Sequence, residues 1–165
     1  MNIEEGRNKQ KSKSPEEIEN RLIGMFALIY SKTLEALIER YGPDALDTAR
    51  EACINTIVEM SKAGFADMED RDLHTYVDWL TTDGTESSHR YETVERTENS
   101  IRLKYLYCPW AVYFREVGHP EIGKFFCDAD GPIAAVFNED IKFDRTKTLM
   151  EGDDHCDHHF YTEGD

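Results

Sequence analysis

The chain has 165 residues, with 34 Asp and Glu against 19 Lys and Arg, which gives a formal net charge of -15. This length suits one domain with a genuine core. The negative charge repels phosphate backbones, so we expect no nucleic-acid partner. No apolar run approaches the roughly 20 residues of a membrane helix, so we expect no membrane insertion. The polar start lacks a secretory signal and the four cysteines are widely spaced, which predicts reduced thiols in the cytoplasm.

The first stretch of the chain predicts a tail and then a long helix. Residues 1–13 have no periodicity and predict a flexible tail. Ser14 suits an N-cap, Pro15 the first helical position, and Glu17 completes a capping box. One apolar stripe follows at spacings of three and four: Ile18, Leu22, Met25, Ile29, Thr33, Leu37 and Tyr41. Gly42 and the following proline predict its end.

Two further helices are predicted before the pattern changes. The second carries an apolar face and ends near Gly64, with the face made of Leu46, Ala49, Cys53, Ile57 and Met60. Because Cys53 lies in this stripe, we interpret it as a small core hydrophobe. The third is shorter, ends before Asp83, and carries Leu73, Tyr76, Val77 and Leu80.

The second half alternates short strands with short helices. Residues 88–107 predict a hairpin with a turn at 98–100, and residues 141–161 predict a second hairpin around a turn at 151–154. Helices are expected from Pro109 to about Val117, at 121–126 and at 130–137. The fold class is therefore α+β, with N-terminal helices followed by a β-β-α-α-β-β core and an antiparallel sheet. We expect a single domain at 14–165, whose helical part is 14–83 and whose β-β-α-α-β-β part is 88–162.

Reactive side chains concentrate in this second half. In the last predicted strand, alternation places Cys156, His158 and Phe160 on one face, which we expect to face the core. Cys156 and His158 would then be neighbours, as a thiol–imidazole pair or as two ligands of one metal. The simpler interpretation of His155 and His159, on the opposite face, is that they are solvated.

The other two cysteines allow both functional and structural interpretations. Cys108 precedes a predicted helix, where free backbone N–H groups favour a thiolate, although packing explains it equally well. Cys127 is followed by Asp128 and Asp130; the group is either reactive or a helix end followed by an N-cap. We expect the sulfurs of Cys108, Cys127 and Cys156 to line one cavity, each within about 10 Å of another, with Cys53 outside it.

Residues 108–161 resemble the L-2-amino-thiazoline-4-carboxylic acid hydrolase family. The resembling features are C-P-x-A from Cys108, the break at 118–121, F-C-D-x-D from Phe126, the run 143–149, and Gly152-Asp153-Asp154 before Cys156-Asp157. The resemblance implies a hydrolase that opens a cyclic amidine-type C–N bond, as in conversion of 2-aminothiazoline-4-carboxylate to N-carbamoylcysteine. It also implies an aromatic residue where His158 stands. The same order of elements is similar to the 4-vinyl reductase domain, whose wider group includes sensors in which cysteines hold zinc.

Two functional hypotheses follow. As a hydrolase acting on a small-molecule substrate, the protein would use Cys108 or Cys156 as nucleophile and His158 or Asp128 as proton carrier. The predicted substrate-binding residues are Cys127, Asp130 and Trp110. The alternative is a non-catalytic small-molecule or zinc-binding module, in which Cys108, Cys127 and Cys156, with His158 or Asp130, close around the metal. The cofactor is thus none or zinc. A structural interaction protein is disfavoured, because no long exposed apolar stripe is expected.

Overall fold

The computed structural model describes residues 13–82 and 88–163. Within them are helices and strands in the order α1 (Pro15–Tyr41), α2 (Asp44–Gly64), α3 (Leu73–Thr82), β1 (Arg90–Arg96), β2 (Ser100–Tyr107), α4 (Pro109–Glu116), α5 (Pro120–Cys127), α6 (Asp130–Phe137), β3 (Ile141–Asp144) and β4 (Cys156–Thr162). The predicted α+β class and the β-β-α-α-β-β order are confirmed. The predicted tail falls almost entirely outside the described residues, as does the helix stop at Asp83.

The four strands form one antiparallel sheet in the order β1-β2-β4-β3. Strand β2 pairs with β4 so that Tyr105 lies opposite Cys156, which brings the end of β2 and the start of β4 to the same edge. The predicted alternation is confirmed, because the buried residues of these strands are Ile101, Leu103, Tyr105, Cys156, His158 and Phe160. This sheet edge is where the reactive residues meet.

The second hairpin is less regular than the sequence predicts. Strand β3 ends at Asp144 instead of continuing to Leu149. The Asp157 carboxylate explains the early end, because its Oδ1 accepts the backbone N–H of Thr146 at 2.9 Å and of Lys147 at 2.6 Å. Those N–H groups are therefore turned away from a strand ladder. The predicted turn at 151–154 is present, and Gly152 adopts a φ of 102°, which suits glycine.

Helix α1 begins with the predicted capping box but presents an unexpected face to the core. The buried residues of α1 are Ile23, Ala27, Ser31 and Leu34, on the side that packs against α4. Its inner face also carries Gly24, where an added Cβ would lie 3.0 Å from the Tyr113 ring. Small residues let the two helices approach closely. The predicted apolar stripe consequently faces solvent, and the expectation that no such exposed stripe exists is wrong.

Two apolar clusters make up the core. The first joins the sheet to α3 and α6 and includes Tyr76, Tyr105 and Phe160. The second lies between α1, α4 and α5 around Phe114 and Phe125. Helix α2 covers both without a fully buried residue of its own.

Candidate active site

Three elements bring three thiols together at the sheet edge. Cys108 is the N-cap of α4, Cys127 ends α5, and Cys156 begins β4. The Thr148 hydroxyl lies 4.0 Å from the Cys127 sulfur and 3.8 Å from the Cys156 sulfur. These two sulfurs are therefore closer to each other than the 10 Å expected. Burial is the main cause of the raised pKa of Cys108, and the sulfurs of Cys127 and Cys156 add to it electrostatically.

Burial keeps these sulfurs protonated at neutral pH. It raises the pKa of Cys127 to about 12 and raises the pKa of Cys108 and Cys156 as well. For Cys108 and Cys156, hydrogen bonds from backbone N–H groups oppose this rise in pKa. The Leu149 N–H donates to the Cys156 sulfur at 3.2 Å, and the first turn of α4 partly lowers the pKa of Cys108. The resting groups are therefore thiols.

A buried ion pair lies beside the thiols. Arg145 Nη1 donates to Asp130 Oδ2 at 2.6 Å and to the Cys127 carbonyl at 3.2 Å, with the two charged side chains only 11% and 21% exposed. Burial raises the pKa of Asp130 to about 7, although Arg145 opposes the shift. Asp130 therefore changes protonation state near neutrality.

His158 lies next to this pair in an aromatic environment. Its ring centroid is 4.6 Å from that of Tyr105 and 5.2 Å from that of Phe143. Its Nε2 is 3.8 Å from Asp130 Oδ2, and its buried Nδ1 has no hydrogen-bond partner among the described residues. Burial lowers the pKa of His158 to about 3, so the imidazole is neutral.

One of the thiols also lines an open groove of about 370 Å³. The lining residues are Leu106, Tyr107, Cys108, Ala111, Val112, Arg115, Glu116 and Leu149. Leu149 lines the groove, and its backbone N–H donates a hydrogen bond to the Cys156 sulfur. The Leu149 carbonyl accepts a hydrogen bond from Arg115 Nη1 at 3.2 Å. The single cavity lined by all three thiols stays a prediction. Cys108 lines the groove, while Cys127 and Cys156 are not among the lining residues.

Other predicted residues lie away from the groove. Asp128 accepts two hydrogen bonds from Arg50, at 3.0 and 2.8 Å. Trp110 stacks on Phe126 with ring centroids 4.6 Å apart, within the second apolar cluster. Cys53, which we expected outside the site, is half-buried on α2 and hydrogen-bonds with the Tyr30 hydroxyl.

Four functional candidates were not predicted from the sequence. Arg145 and Thr148 lie in the irregular segment after β3, where no periodicity indicates which way a side chain points. Arg115 and Glu116 looked like ordinary polar residues at the end of a helix. The available signal for Arg145 and Thr148 was their position within the run 143–149.

The described residues contain no group of three or more His, Cys, Asp or Glu side chains placed to hold a metal ion. Cys108, Cys127 and Cys156 are close, but their immediate partners are Thr148, a backbone N–H and the ends of helices. The zinc alternative therefore gains no support from the geometry.

Comparison with known proteins gives a family. The sequence model of L-2-amino-thiazoline-4-carboxylic acid hydrolases matches residues 23–160, most of the chain. The chain belongs to the L-2-amino-thiazoline-4-carboxylic acid hydrolase family. The name of this hydrolase family indicates action on a small molecule. No curated protein matches the chain.

The fold is shared with a solved structure of different sequence. It is similar to a trafficking protein particle complex subunit 3 from Naegleria fowleri, solved covalently bound to palmitic acid. The TM-score is 0.54 at 6% identity, over 86% of this chain and 95% of that one. At this identity the likeness concerns the fold. Within residues 13–82 and 88–163, none of the helices has both the length and the apolar character required to cross a bilayer.

Proposed function

We propose that this member of the hydrolase family opens the ring of a small thiazoline-like cyclic amidine, using Cys108 in the groove. The observation that carries the proposal is the groove itself, whose lining includes a cysteine at the N-terminus of α4 together with an arginine and a glutamate from the last turn of that helix. A volume of about 370 Å³ is suitable for a small ligand.

The groove matches the two charges of such a substrate. A 2-aminothiazoline carboxylate carries one carboxylate and one basic amidine. Arg115, fixed by its bond to the Leu149 carbonyl, presents further N–H donors to the carboxylate. Glu116 supplies a counter-charge for the amidine.

Cys108 needs no resting thiolate, because the basic amidine nitrogen can take the thiol proton as the sulfur attacks. The Cys108 S–H adds across the C=N bond of the amidine, with sulfur bonding to carbon and the proton passing to nitrogen. A ring bond at that carbon then breaks, and Glu116 relays the proton that the leaving atom needs. Water adds to the Cys108-linked carbon, and the Cys108 thiol departs. One water is consumed, and the enzyme is regenerated.

Atom balance decides which ring bond breaks for each product. N-carbamoylcysteine keeps both amidine nitrogens, so its formation requires cleavage of the ring C–S bond and releases a thiol. Cleavage of the ring C–N bond expected from the sequence would release an amine and give the S-carbamoyl isomer. Both products are one water heavier than the substrate, and reagents for thiols and for primary amines distinguish them.

The roles of the remaining predicted residues change accordingly. Cys156, the other predicted nucleophile, is buried and bonded to the Leu149 N–H, so we assign the attack to Cys108. We assign proton transfer in the groove to Glu116, because His158 is buried and Asp128 is bonded to Arg50. The predicted binding residues Cys127, Asp130 and Trp110 do not line the groove, and we assign them no contact with the substrate.

The test is turnover of 2-aminothiazoline-4-carboxylate, followed by mass spectrometry and thiol release. We expect a product one water heavier, loss of turnover in Cys108→Ser, and near-normal turnover in Cys53→Ser. An active Cys108→Ser variant would contradict the assigned nucleophile. No turnover of this compound or of close cyclic analogues by the wild type would contradict the hydrolase.

The second candidate is a small-molecule-binding module without turnover. It is favoured by the raised pKa of all three clustered thiols, which leaves no resting thiolate. Saturable binding of the thiazoline in calorimetry, with unchanged ligand recovered afterwards, would support it. Both candidates require reduced cysteines, and all four cysteines are free, so we propose a cytoplasmic location to be checked by fractionation.

A further inference from the structure

The outer face of α1 is an apolar strip without a cover among the described residues. We use this name for Ile18, Leu22, Met25, Leu28, Ile29, Leu37 and Tyr41, whose exposed fractions run from 38% to 71%. Monomeric proteins rarely leave so many large apolar side chains side by side in water. The strip lies opposite the side of α1 that packs on α4, so the fold itself does not use it.

The two halves of this face differ in shape. The N-terminal half carries the bulky Ile18, Leu22 and Met25. The C-terminal half forms a shallow groove of about 680 Å³, in which Thr33 and Ala36 are the small residues. A second α1 running antiparallel, with the two-fold axis near Ile29, places Leu22 over Ala36 and Met25 over Thr33. Ile29 then meets its own copy. Bulky residues of one copy thus fill the shallow half of the other, as a self-complementary interface requires.

The charges at the ends of the helix favour the same direction. The first turn contains Glu16 and Glu17, and the last turn contains the basic Arg40 beside Glu39. Antiparallel pairing brings the acidic turn of one copy near the basic turn of the other, at both ends. Parallel pairing would instead place the acidic turns together.

The exposed area is sufficient for a stable pair. At about half exposure each large side chain contributes on the order of 100 Å². The seven side chains of the strip therefore offer about 700 Å² per copy, within the range of about 600–1,000 Å² for one partner in a specific interface. We propose that the outer face of α1 binds the same face of a second copy of this chain, as an antiparallel two-fold homodimer.

The test is the oligomeric state of the full chain and its variants by sedimentation equilibrium. We expect a dimer for the wild type and a monomer for Leu22→Glu, because a carboxylate would be buried in the interface over Ala36 of the second copy. Leu22 is 58% exposed, so this variant should keep its fold, which circular dichroism checks. The matched control is Val94→Glu, at a side chain 64% exposed on β1, which should remain dimeric.

The antiparallel direction of the two α1 helices is tested with separate variants. Arg40→Glu should weaken the dimer about tenfold, and adding Glu16→Lys should restore part of the loss. A mixture of Leu22→Cys and Ala36→Cys chains should form a disulfide between unlike chains. Disulfides only between like Leu22→Cys chains would overturn the antiparallel arrangement.

Two results would overturn the dimer. One is a wild-type protein that stays monomeric at about 100 μM, a concentration far above the dissociation constants of specific interfaces of this size. The other is a wild-type monomer that floats with phosphatidylcholine vesicles while Leu22→Glu does not, which would make a lipid surface the occupant.

Discussion

Arg115 is the residue that most directly tests the proposed substrate. Removing its charge-assisted hydrogen bond to a carboxylate should cost about 1.5–3 kcal/mol of binding, which corresponds to a 10- to 100-fold rise in KM. We expect Arg115→Ala to show this rise with a much smaller change in kcat, because the carboxylate does not take part in bond breaking. The control is Arg102→Ala on the outer side of β2, which pairs with Glu95. A normal KM in Arg115→Ala would contradict the assigned binding mode.

Asp130 and His158 together make a prediction about pH and stability. The raised pKa of Asp130 and the lowered pKa of His158 mean that both are neutral in the folded protein at mildly acidic pH. In the unfolded chain both are charged between their ordinary pKa values. The stabilising effect of Asp130 is present below its unfolded pKa and is lost as pH rises through about 7. That of His158 is present above its unfolded pKa and is lost as pH falls towards about 3.

These opposite slopes should cancel in the wild type and appear in the variants. Between about pH 4.5 and about pH 6, His158→Phe should lose about 2 kcal/mol of unfolding free energy as pH rises, relative to the wild type. Asp130→Asn should lose a similar amount as pH falls. Urea unfolding across this range measures both, and His155→Phe and Asp128→Asn serve as controls. Parallel profiles for all five proteins would show that the two buried groups keep ordinary pKa values.

Helix α5 depends on a close approach at one position. A Cβ added to Gly123 would lie 2.5 Å from the Met150 sulfur and 2.7 Å from Phe114 Cβ. Gly123→Ala should therefore destabilise the protein by about 1–3 kcal/mol through overpacking. It should also reduce turnover, because Met150 follows Thr148 and Leu149 in the chain. Gly131→Ala in α6 meets only an ordinary contact at 3.6 Å and should leave stability unchanged or slightly higher in thermal unfolding. Equal stability of the two variants would contradict the tight packing.

At the level of elements, strands and caps were predictable, but the inward face of α1 was not. The alternation in β2 and β4 identified the core side because polar residues occupy the other face. In α1, the series Ile23, Ala27 and Leu34 has the same periodicity as the exposed strip. The face with small residues is buried because it lets α4 approach closely. This choice depends on the partner helix and cannot be read from the periodicity of α1 alone. The convergence of the three cysteines followed from antiparallel pairing, whereas Arg145 and Thr148 lie in a loop whose path depends on the Asp157 side chain.

At the scale of the whole molecule, the net charge opposes dimerisation, whereas the apolar strip favours it. Two chains of formal charge -15 repel, and this repulsion weakens as salt shortens the Debye length. Burial of apolar side chains depends much less on ionic strength. We therefore expect the dimer to tighten between about 20 mM and about 300 mM NaCl in sedimentation equilibrium. Weaker association at the higher salt concentration would indicate that ion pairs, and not the apolar strip, hold the copies together.

The backbone of Leu149 makes one hydrogen bond to a residue of the groove and another to a thiol of the interior. The carbonyl of Leu149 holds Arg115, and the N–H of the same residue holds the Cys156 sulfur. In the proposed binding mode a carboxylate ligand accepts the remaining N–H groups of Arg115 while Nη1 keeps its bond to that carbonyl, so the ligand, Arg115 and Leu149 form one chain of hydrogen bonds. We therefore expect occupancy of the groove to alter the surroundings of Cys156, which the ligand does not touch. The rate at which an alkylating reagent modifies Cys156 should therefore differ between the empty and the occupied groove.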